Sequence, residues 1–555
     1  MKDRILVLAL ENALKFNGKA NPKAIVGKII AEFPDAKSNM KQTMEEINRI
    51  VHDVNDMNAG EQEAMLHEFS PESMKKEKKE KKLDLFGFLK IPAETKVRTA
   101  FPPGVEKYPH IGHAKAYLIN YLLAKEYDGK FCLRFEDTNP DLVQNEFYEI
   151  MKDNFEWLGA KWDELYYASD FMDDYYKYAE KLIKEGKAYM CFCDGETIKL
   201  GRQKGTECQC RKSSPEENLK HWETFSAYEQ GKAILRLKID LQHQNSTMRD
   251  PSIFRINKTP HARHGDKYKV WPTYDFQTSI ADGLTNITHR LRSKEFEMRR
   301  ELQQWIQNTC NLPVTVIDEF ARFNMEGVLS SGRVIREKIE NGELVGWDDP
   351  TLTTIVALRR RGFQPEAIKN FVISTGITKS ESTITWDDLV VHNKRVLDRH
   401  AMRYFFVKDP ELIKIENSPE AKFELRRHPE DLEKGFREFY TTDEYYISKD
   451  DLSDLKSGDI VRLMDGFNFI KTENGYEFYS HDLKDYREKG KRVVHWLPAS
   501  DEHRSATIMM PDKSVVRGLA EKDSELILEG EVVQFERFGF CRLDNKAEMS
   551  FWFTH

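Results

Sequence analysis

His110 and His113 stand three positions apart with Gly112 between them, shortly after the run Phe101-Pro102-Pro103. Two imidazoles in one loop can donate hydrogen bonds to phosphoryl oxygens whose charge grows as a nucleotide reacts. Gly112 has no side chain, so a ribose or a flat ring could come close to the backbone there. The plainer reading of the same residues is a polar cap on a helix start. Further on, the acidic pair Glu136-Asp137 ends an apolar run, and Arg292 ends another. A guanidinium at a strand end meets a carboxylate through two parallel N–H bonds, which makes Arg292 a candidate anion clamp. Its plainer reading is a surface arginine paired with Glu295. A fourth group is Cys191, Cys193, Cys208 and Cys210, two C-x-C pairs with fourteen residues between them. Four soft thiolates so close in sequence can hold one tetrahedral zinc and staple a small knuckle. The alternative is four reduced cysteines beside a surface hairpin.

The elements that must position these groups follow from local pattern. Residues 97–101 form a short apolar run stopped by Pro102, Pro103 and Gly104, and a helix then places Ala114, Leu118, Tyr121 and Leu122 on its apolar side. Asp128-Gly129 makes a turn into a second strand, 130–135. Strand, loop, helix, strand is a βαβ unit, and ligands of parallel sheets sit at the carboxyl ends of strands, against helix N-termini. Residues 286–291 read as another short strand, ending at Arg292. Residues 4–16, 22–32 and 40–54 read as helices separated by Gly18, Asn21 and Pro34. Six lysines between Lys75 and Lys82, with no apolar residue among them, read as a solvated linker with a secondary chance of touching a phosphate backbone.

Composition sets the bounds. A chain of 555 residues is too long for one core and implies about three to five domains. With 40% hydrophobic residues and no apolar run near ~20 residues, no membrane helix is expected. Glu11, Asn12 and Lys15 interrupt the apolar N-terminus, which reads as an amphipathic helix rather than a signal peptide. A net charge of −8 does not exclude nucleic acid, since binding depends on local basic patches. Seven cysteines in a long chain without a signal fit a reducing cytoplasm.

The stretch FPP…PHIGHAKAYLINYLLA…GKFCLRFEDTNP resembles the first half of a class I aminoacyl-tRNA synthetase of the glutamyl/glutaminyl group, with PHIGHAK as its HIGH signature. The resemblance continues through THRLRSKE, which is similar to the glutamyl HVLRGKE rather than the glutaminyl CTLEF, and through GWDDP at 346–350. It implies a Rossmann-type α/β catalytic domain with an N-terminal helical domain, a helical stem-contact region and C-terminal β-barrels of the archaeal and eukaryotic branch. The implied map is an accessory helical domain at 1–70, a charged linker at 71–94 and the first catalytic half at 95–190. An acceptor-end insert with the candidate zinc knuckle follows at 191–270, then the second catalytic half at 271–330. The signature loop and stem-contact helices take 331–400, and the anticodon-binding barrels 401–555.

The resemblance further implies a glutamate–tRNA ligase using ATP with Mg²⁺ and acting as a cytoplasmic monomer on tRNA for glutamate, while one structural zinc on the four cysteines stays an open reading of the thiolates themselves. Charging of tRNA for glutamine is left open. A glutaminyl enzyme and a tRNA-binding paralog that no longer aminoacylates are the rivals. The resemblance carries ATP contacts to Pro102, Pro103, His110, Gly112, His113, Ser331 and Arg333, and catalysis to His110, His113 and Arg333. Amino-acid contacts fall on Arg98, Glu136, Tyr274 and Arg292, with Glu136 receiving the ammonium. Three places depart from the pattern. Ala100 replaces an arginine, with Arg98 two residues earlier on the same strand face, about 6.5 Å along. Ser330-Ser331-Gly332 replaces the MSK lysine segment, leaving Arg333 as the nearest cation. Gly104-Val105-Glu106-Lys107 replaces the EPNG turn.

Overall fold

The computed structural model describes residues 1–555 apart from 16–18, 34–35, 37–38, 56, 58–61, 63–64, 67–83, 330 and 382. Contacts divide it into two units, Met1–Leu85 and Phe86–His555. In the first, α1 (Lys2–Lys15), α2 (Pro22–Glu32) and α3 (Met40–Asn55) close over a core that includes Ile5, Leu8, Ile29, Ile47 and Val51. Asn21 caps α2 by accepting from the Lys23 N–H, and Pro22 opens it where a missing N–H costs nothing. The lysine run 75–82 lies outside the described residues.

The second unit begins with β1 (Arg98–Phe101), α4 (Ile111–Glu126), β2 (Lys130–Phe135), α5 (Asn145–Trp157), β3 (Glu164–Tyr167) and α6 (Met172–Lys184). An insert follows: β4 (Ala188–Cys191), α7 (Gly195–Lys204), α8 (Pro215–Glu223), β5 (Ile234–Leu237), β6 (Ser252–Ile256) and β7 (Val270–Pro272). The chain then returns through α9 (Tyr274–Leu284), β8 (His289–Ser293), α10 (Arg300–Thr309) and β9 (Val316–Phe320). Next come α11 (Gly332–Glu340), α12 (Ile355–Arg361), α13 (Pro365–Thr375) and α14 (Trp386–Leu397).

Strands β3-β2-β1-β8-β9 form one parallel sheet in that order. Both faces of such a sheet are covered, which is why β2 is buried at every position after Lys130. On one face Phe101 meets Tyr117 of α4 edge-on at 5.6 Å. The chain builds outward from β1 to β3 on one side and from β8 to β9 on the other. The change of direction opens a crevice at the carboxyl ends of β1 and β8, where an open α/β sheet takes its ligand.

The insert is an antiparallel sheet ordered β4-β5-β6-β7, running from Ala188 to Pro272 and so slightly wider than its sequence pattern suggests. Its core is continuous with α6 and α9 through Tyr175, Leu235, Phe254, Trp271 and Phe276, so the insert is fixed to the catalytic fold. After α14 the chain turns to strands. Two seven-stranded sheets follow, one including Pro410–Glu416, Glu444–Ser448 and Ile460–Leu463, the other His503–Met509, Val515–Glu521 and Gly539–Asn545. Each has its own apolar core, around Trp496 in the first and Phe535 in the second. Among the described residues, no helix is long and apolar enough to cross a membrane.

Candidate active site

The crevice at the carboxyl ends of β1 and β8 is a cavity of about 900 Å³, within the size that holds a nucleotide and a small acid together. Pro102, Pro103, His110, Gly112, His113, Glu136, Tyr274 and Arg292 all reach it. They come from the loop after β1, the start of α4, the residue after β2, the start of α9 and the end of β8.

The cap reading of the histidine pair holds, and it leaves both rings at the cavity. His110 is the N-cap of α4: its Nδ1 accepts from the Gly112 N–H at 3.0 Å, while His113 Nδ1 accepts from the His110 N–H at 3.1 Å. With both Nδ1 atoms acting as acceptors of backbone hydrogens, the proton of each neutral ring sits on Nε2, which is left as a donor. Burial, reinforced by Lys107 and Arg322, pulls His110 down to about 3; burial with His110 and Lys107 pulls His113 well below its ordinary range. The pair is therefore neutral. Gly112 acts differently from its sequence reading, because a Cβ there would lie 2.9 Å from His110 Cε1; the vacant space holds the His110 ring itself. The block around GWDDP backs this loop: Ile111 N–H donates to Thr353 O at 2.9 Å, Ile355 N–H to Pro109 O at 2.8 Å, and Tyr108 stacks on Trp347.

The far end of the cavity is a set of buried charges that do not fully cancel. Arg134 Nη1 donates to Asp282 at 2.6 Å, and its Nε and Nη2 donate to Glu136 Oε1 at 3.1 and 3.0 Å. Glu136 Oε2 is buried with no partner. Burial pushes this carboxyl up to about 7, outweighing the downward pull of Arg134. Arg290 is paired with a close carboxylate, Asp282 at 2.6 Å, and donates to Thr278 and Gln303, although its Nε has no partner. Arg292 is not: its Nη1 donates to Gln303 Oε1 at 2.8 Å and Nη2 to Phe296 O at 2.9 Å, while Nε has no partner. Its nearest carboxylate is Glu319 at 3.8 Å, which Arg300 and Lys379 already engage. Burial and then Arg290 pull Arg292 down to about 10. A buried guanidinium without a full counter-ion calls for an anion, and a buried carboxylate oxygen without a donor calls for a cation. Glu295, the surface partner considered from sequence, pairs instead with Arg322 at 3.6 Å.

Three expected site residues are elsewhere. Arg98 shares a strand face with Ala100, but it begins β1, at the end of the strand away from the cavity, where Glu164 and Tyr166 hold it. Alternation fixes the face of a strand and not the end, and two residues back is one step away from the ligand. Ala100 itself packs with Cys132 and Ile287. Ser331 is the N-cap of α11 and Arg333 points to solvent; neither lines the cavity. Sequence reasoning missed Gln277, which lies one helical turn after Tyr274, lines the cavity and has both amide ends buried without partners. The i, i+3 spacing on α9 was the signal for it. It also missed Arg290, two positions before Arg292 on the same strand, and Lys107.

Away from this cavity, Cys191, Cys193, Cys208 and Cys210 bring their sulfurs within 4.8 Å of one another. Tetrahedral Zn–S bonds set sulfurs about 3.8 Å apart, so the donor set fits zinc after small adjustments. Mutual proximity raises the Cys193 thiol after burial, while backbone and side-chain hydrogen bonds lower Cys208 against burial. Thiols that interfere with one another's ionisation are relieved by a shared cation.

Residues 96–399 match the family described as tRNA synthetases class I (E and Q), catalytic domain. Residues 401–478 and 493–544 match its two anti-codon binding domains. The chain is 42% identical to the glutamate–tRNA ligase of Pyrococcus abyssi, covering 97% of this chain and 96% of that protein. It is 40% identical to that of Thermococcus kodakarensis, over 98% and 97%, and 37% identical to that of Methanococcus maripaludis strain C5, over 100% of each. Matched from the catalytic sheet through both C-terminal sheets, and alike to these relatives over nearly their whole length, the chain belongs to the class I tRNA synthetases of the glutamate and glutamine group.

Proposed function

We propose that this chain is a glutamate–tRNA ligase: it activates glutamate with ATP and transfers it to tRNA. The observation that carries this reading is the pair of unsatisfied charges in one cavity, Glu136 Oε2 and Arg292, beside the two Nε2–H donors of His110 and His113. Glu136 takes the substrate ammonium, and Arg292 with Tyr274 takes the side-chain carboxylate. The α-carboxylate is then left free toward the histidines. One of its oxygens attacks the α-phosphorus of ATP in line, the bond to the β-phosphate oxygen breaks, and pyrophosphate leaves with the electron pair. The terminal ribose hydroxyl of tRNA next attacks the adenylate carbonyl and AMP departs. No side chain becomes a covalent nucleophile; the protein contributes position and charge stabilisation. ATP enters as its magnesium complex, whose cation offsets phosphate charge.

ATP–pyrophosphate exchange, with tRNA present, tests the assignment: glutamate should support it and glutamine should not. A glutaminyl enzyme would leave Arg292 facing a neutral amide in a buried site, which is unfavourable. We infer tRNA for glutamate as the nucleic-acid substrate, and aminoacylation of purified tRNA for glutamine measures how far the charging extends. All of the proposed activation groups lie on one chain, so a monomer suffices.

The raised Glu136 carboxyl gives this activity a pH signature. Below about 7 the free enzyme holds Glu136 protonated, and a neutral carboxyl cannot pair with an ammonium. The KM for glutamate is expected to fall as pH rises from 6 to 8, and Glu136→Gln should raise KM and flatten that dependence. A KM that stays level in the parent chain across this range removes Glu136 from the ammonium site.

We infer one structural zinc on the four cysteines. Protein purified without a metal-affinity tag should carry about one zinc per chain, falling toward zero in the Cys191→Ser/Cys208→Ser variant. That variant should also melt at lower temperature, since a metal bound only in the folded state stabilises it. Metal-free parent protein of unchanged melting temperature would make these thiols ordinary packing groups.

A further inference from the structure

Gly332 and Lys107 are 225 positions apart in sequence and touch. Gly332 opens α11 and is buried; a Cβ built on it would stand 2.9 Å from Lys107 Cδ and 3.4 Å from Lys107 Cβ. The aliphatic stem of Lys107 thus crosses the place where a side chain at 332 would begin. Lys107 comes from the turn that joins β1 to α4 and lines the same cavity as His110, Gly112 and His113. Its charge is felt at both rings, where it is among the causes that keep them neutral.

The other cations of the cavity are either engaged or stand at its amino-acid end. Lys115 is buried under the rings of Phe320 and Phe323, at 5.1 and 4.3 Å, and Arg322 pairs with Glu295. Arg255 donates to Asn139 at 2.6 Å, Arg290 is held by Asp282, and Arg292 stands at the amino-acid end. Among the described residues Lys107 makes no ion pair, and it stands beside the histidines. The substituted turn, through Lys107, and the substituted loop, through Gly332, therefore meet. The loop has no lysine at 332, and the turn places a lysine stem across that same position.

We propose that Lys107 is the cation that meets the departing pyrophosphate, with Gly332 as the groove that lets its stem cross to the phosphates. As the bond between the α-phosphorus and the bridging oxygen breaks, the electron pair goes to the β-phosphate. The Lys107 ammonium stabilises that charge and keeps its proton. A point charge on a flexible stem suits a leaving group that must later diffuse away.

This inference rests on the ligase reading, and its test separates the two. Exchange by the parent chain with glutamate reports on the ligase reading; the variants, measured relative to the parent, report on Lys107. Lys107→Met keeps the stem against Gly332 and removes only the charge. It should slow pyrophosphate exchange at saturating ATP and glutamate by ~100-fold, and weaken binding of magnesium pyrophosphate in titration calorimetry. The transposed variant, Lys107→Gly with Gly332→Lys, should recover the rate to within about tenfold of the parent, because the ammonium then reaches the same phosphates from the other side of the contact. A merely structural lysine would not be restored this way. A Lys107→Met chain within about threefold of the parent, or a transposed chain as slow as Lys107→Met, overturns the proposal.

Discussion

Arg292→Gln is expected to remove nearly all glutamate activation while making the protein itself harder to unfold. The first effect follows from the carboxylate it would leave unpaired in a water-excluded site, a loss of ~3–5 kcal/mol, or roughly two to three and a half orders of magnitude in kcat/KM. Glutamine, which needs no counter-ion there, should suffer far less. The second effect follows from the free enzyme. Burial has pulled Arg292 from its ordinary 12.5 down to about 10, so the folded chain resists its charge. The sign runs against the usual ion pair: below the lowered value the arginine is charged and destabilising, so at neutral pH its removal relieves a cost on the order of 1–3 kcal/mol. Thermal melts without substrate should show the variant above the parent. Pyrophosphate exchange should show it far below with glutamate. A variant that melts lower and still prefers glutamate would mean that Arg292 is a structural group and the selector lies elsewhere.

The histidine pair carries the second large effect. Each neutral ring offers one Nε2–H to the cavity, and loss of one preorganised donor at a developing charge costs about 10²–10³ in rate. His113→Ala should lower adenylate formation by that factor with tRNA affinity nearly unchanged. At His110 alanine would also remove the cap of α4, worth ~1 kcal/mol of stability. His110→Asn is the cleaner variant, because its amide oxygen can still accept from the Gly112 N–H while nothing replaces the distal donor. Both rings titrate far below their ordinary 6.5, so no loss of rate from their protonation is expected between pH 5.5 and 8. An inflection near 6.5 that disappears in His113→Ala would show instead that this ring works as a proton carrier.

Much of this site was legible before any fold was known, and the reason is locality. A strand stopped by Pro102-Pro103, a helix starting at His110-Ile111 and a strand ending at Glu136 are each dictated by neighbours within a few positions, and β1, α4 and β2 form there. Two C-x-C pairs predicted a thiolate cluster, and the helix α7 between them turns the chain back so that the four sulfurs meet. Arg98 shows where this reasoning stops. Period-two alternation placed it on the same face as Ala100, yet the face carries no information about which end of the strand meets the ligand, and Glu164 from β3 holds it away.

The sequence by itself determined the βαβ frame, the placement of the two histidines at a helix start and the presence of an acidic and a basic strand end that could face a substrate. Only the tertiary structure decided which charges are left over. Arg290 and Arg292 alternate on one strand, but Asp282 of α9, which Arg290 shares with Arg134, pairs with the first and leaves the second short of a counter-ion. Arg134 occupies one oxygen of Glu136 and leaves the other bare. Lys107 meets Gly332 only because α11 returns against the turn before α4. Backbone propensity is settled within a few residues along the chain. Electrostatic compensation acts through space between elements far apart in sequence, so the unpaired group that invites a ligand is visible only after the sheet has brought every other charge to its partner.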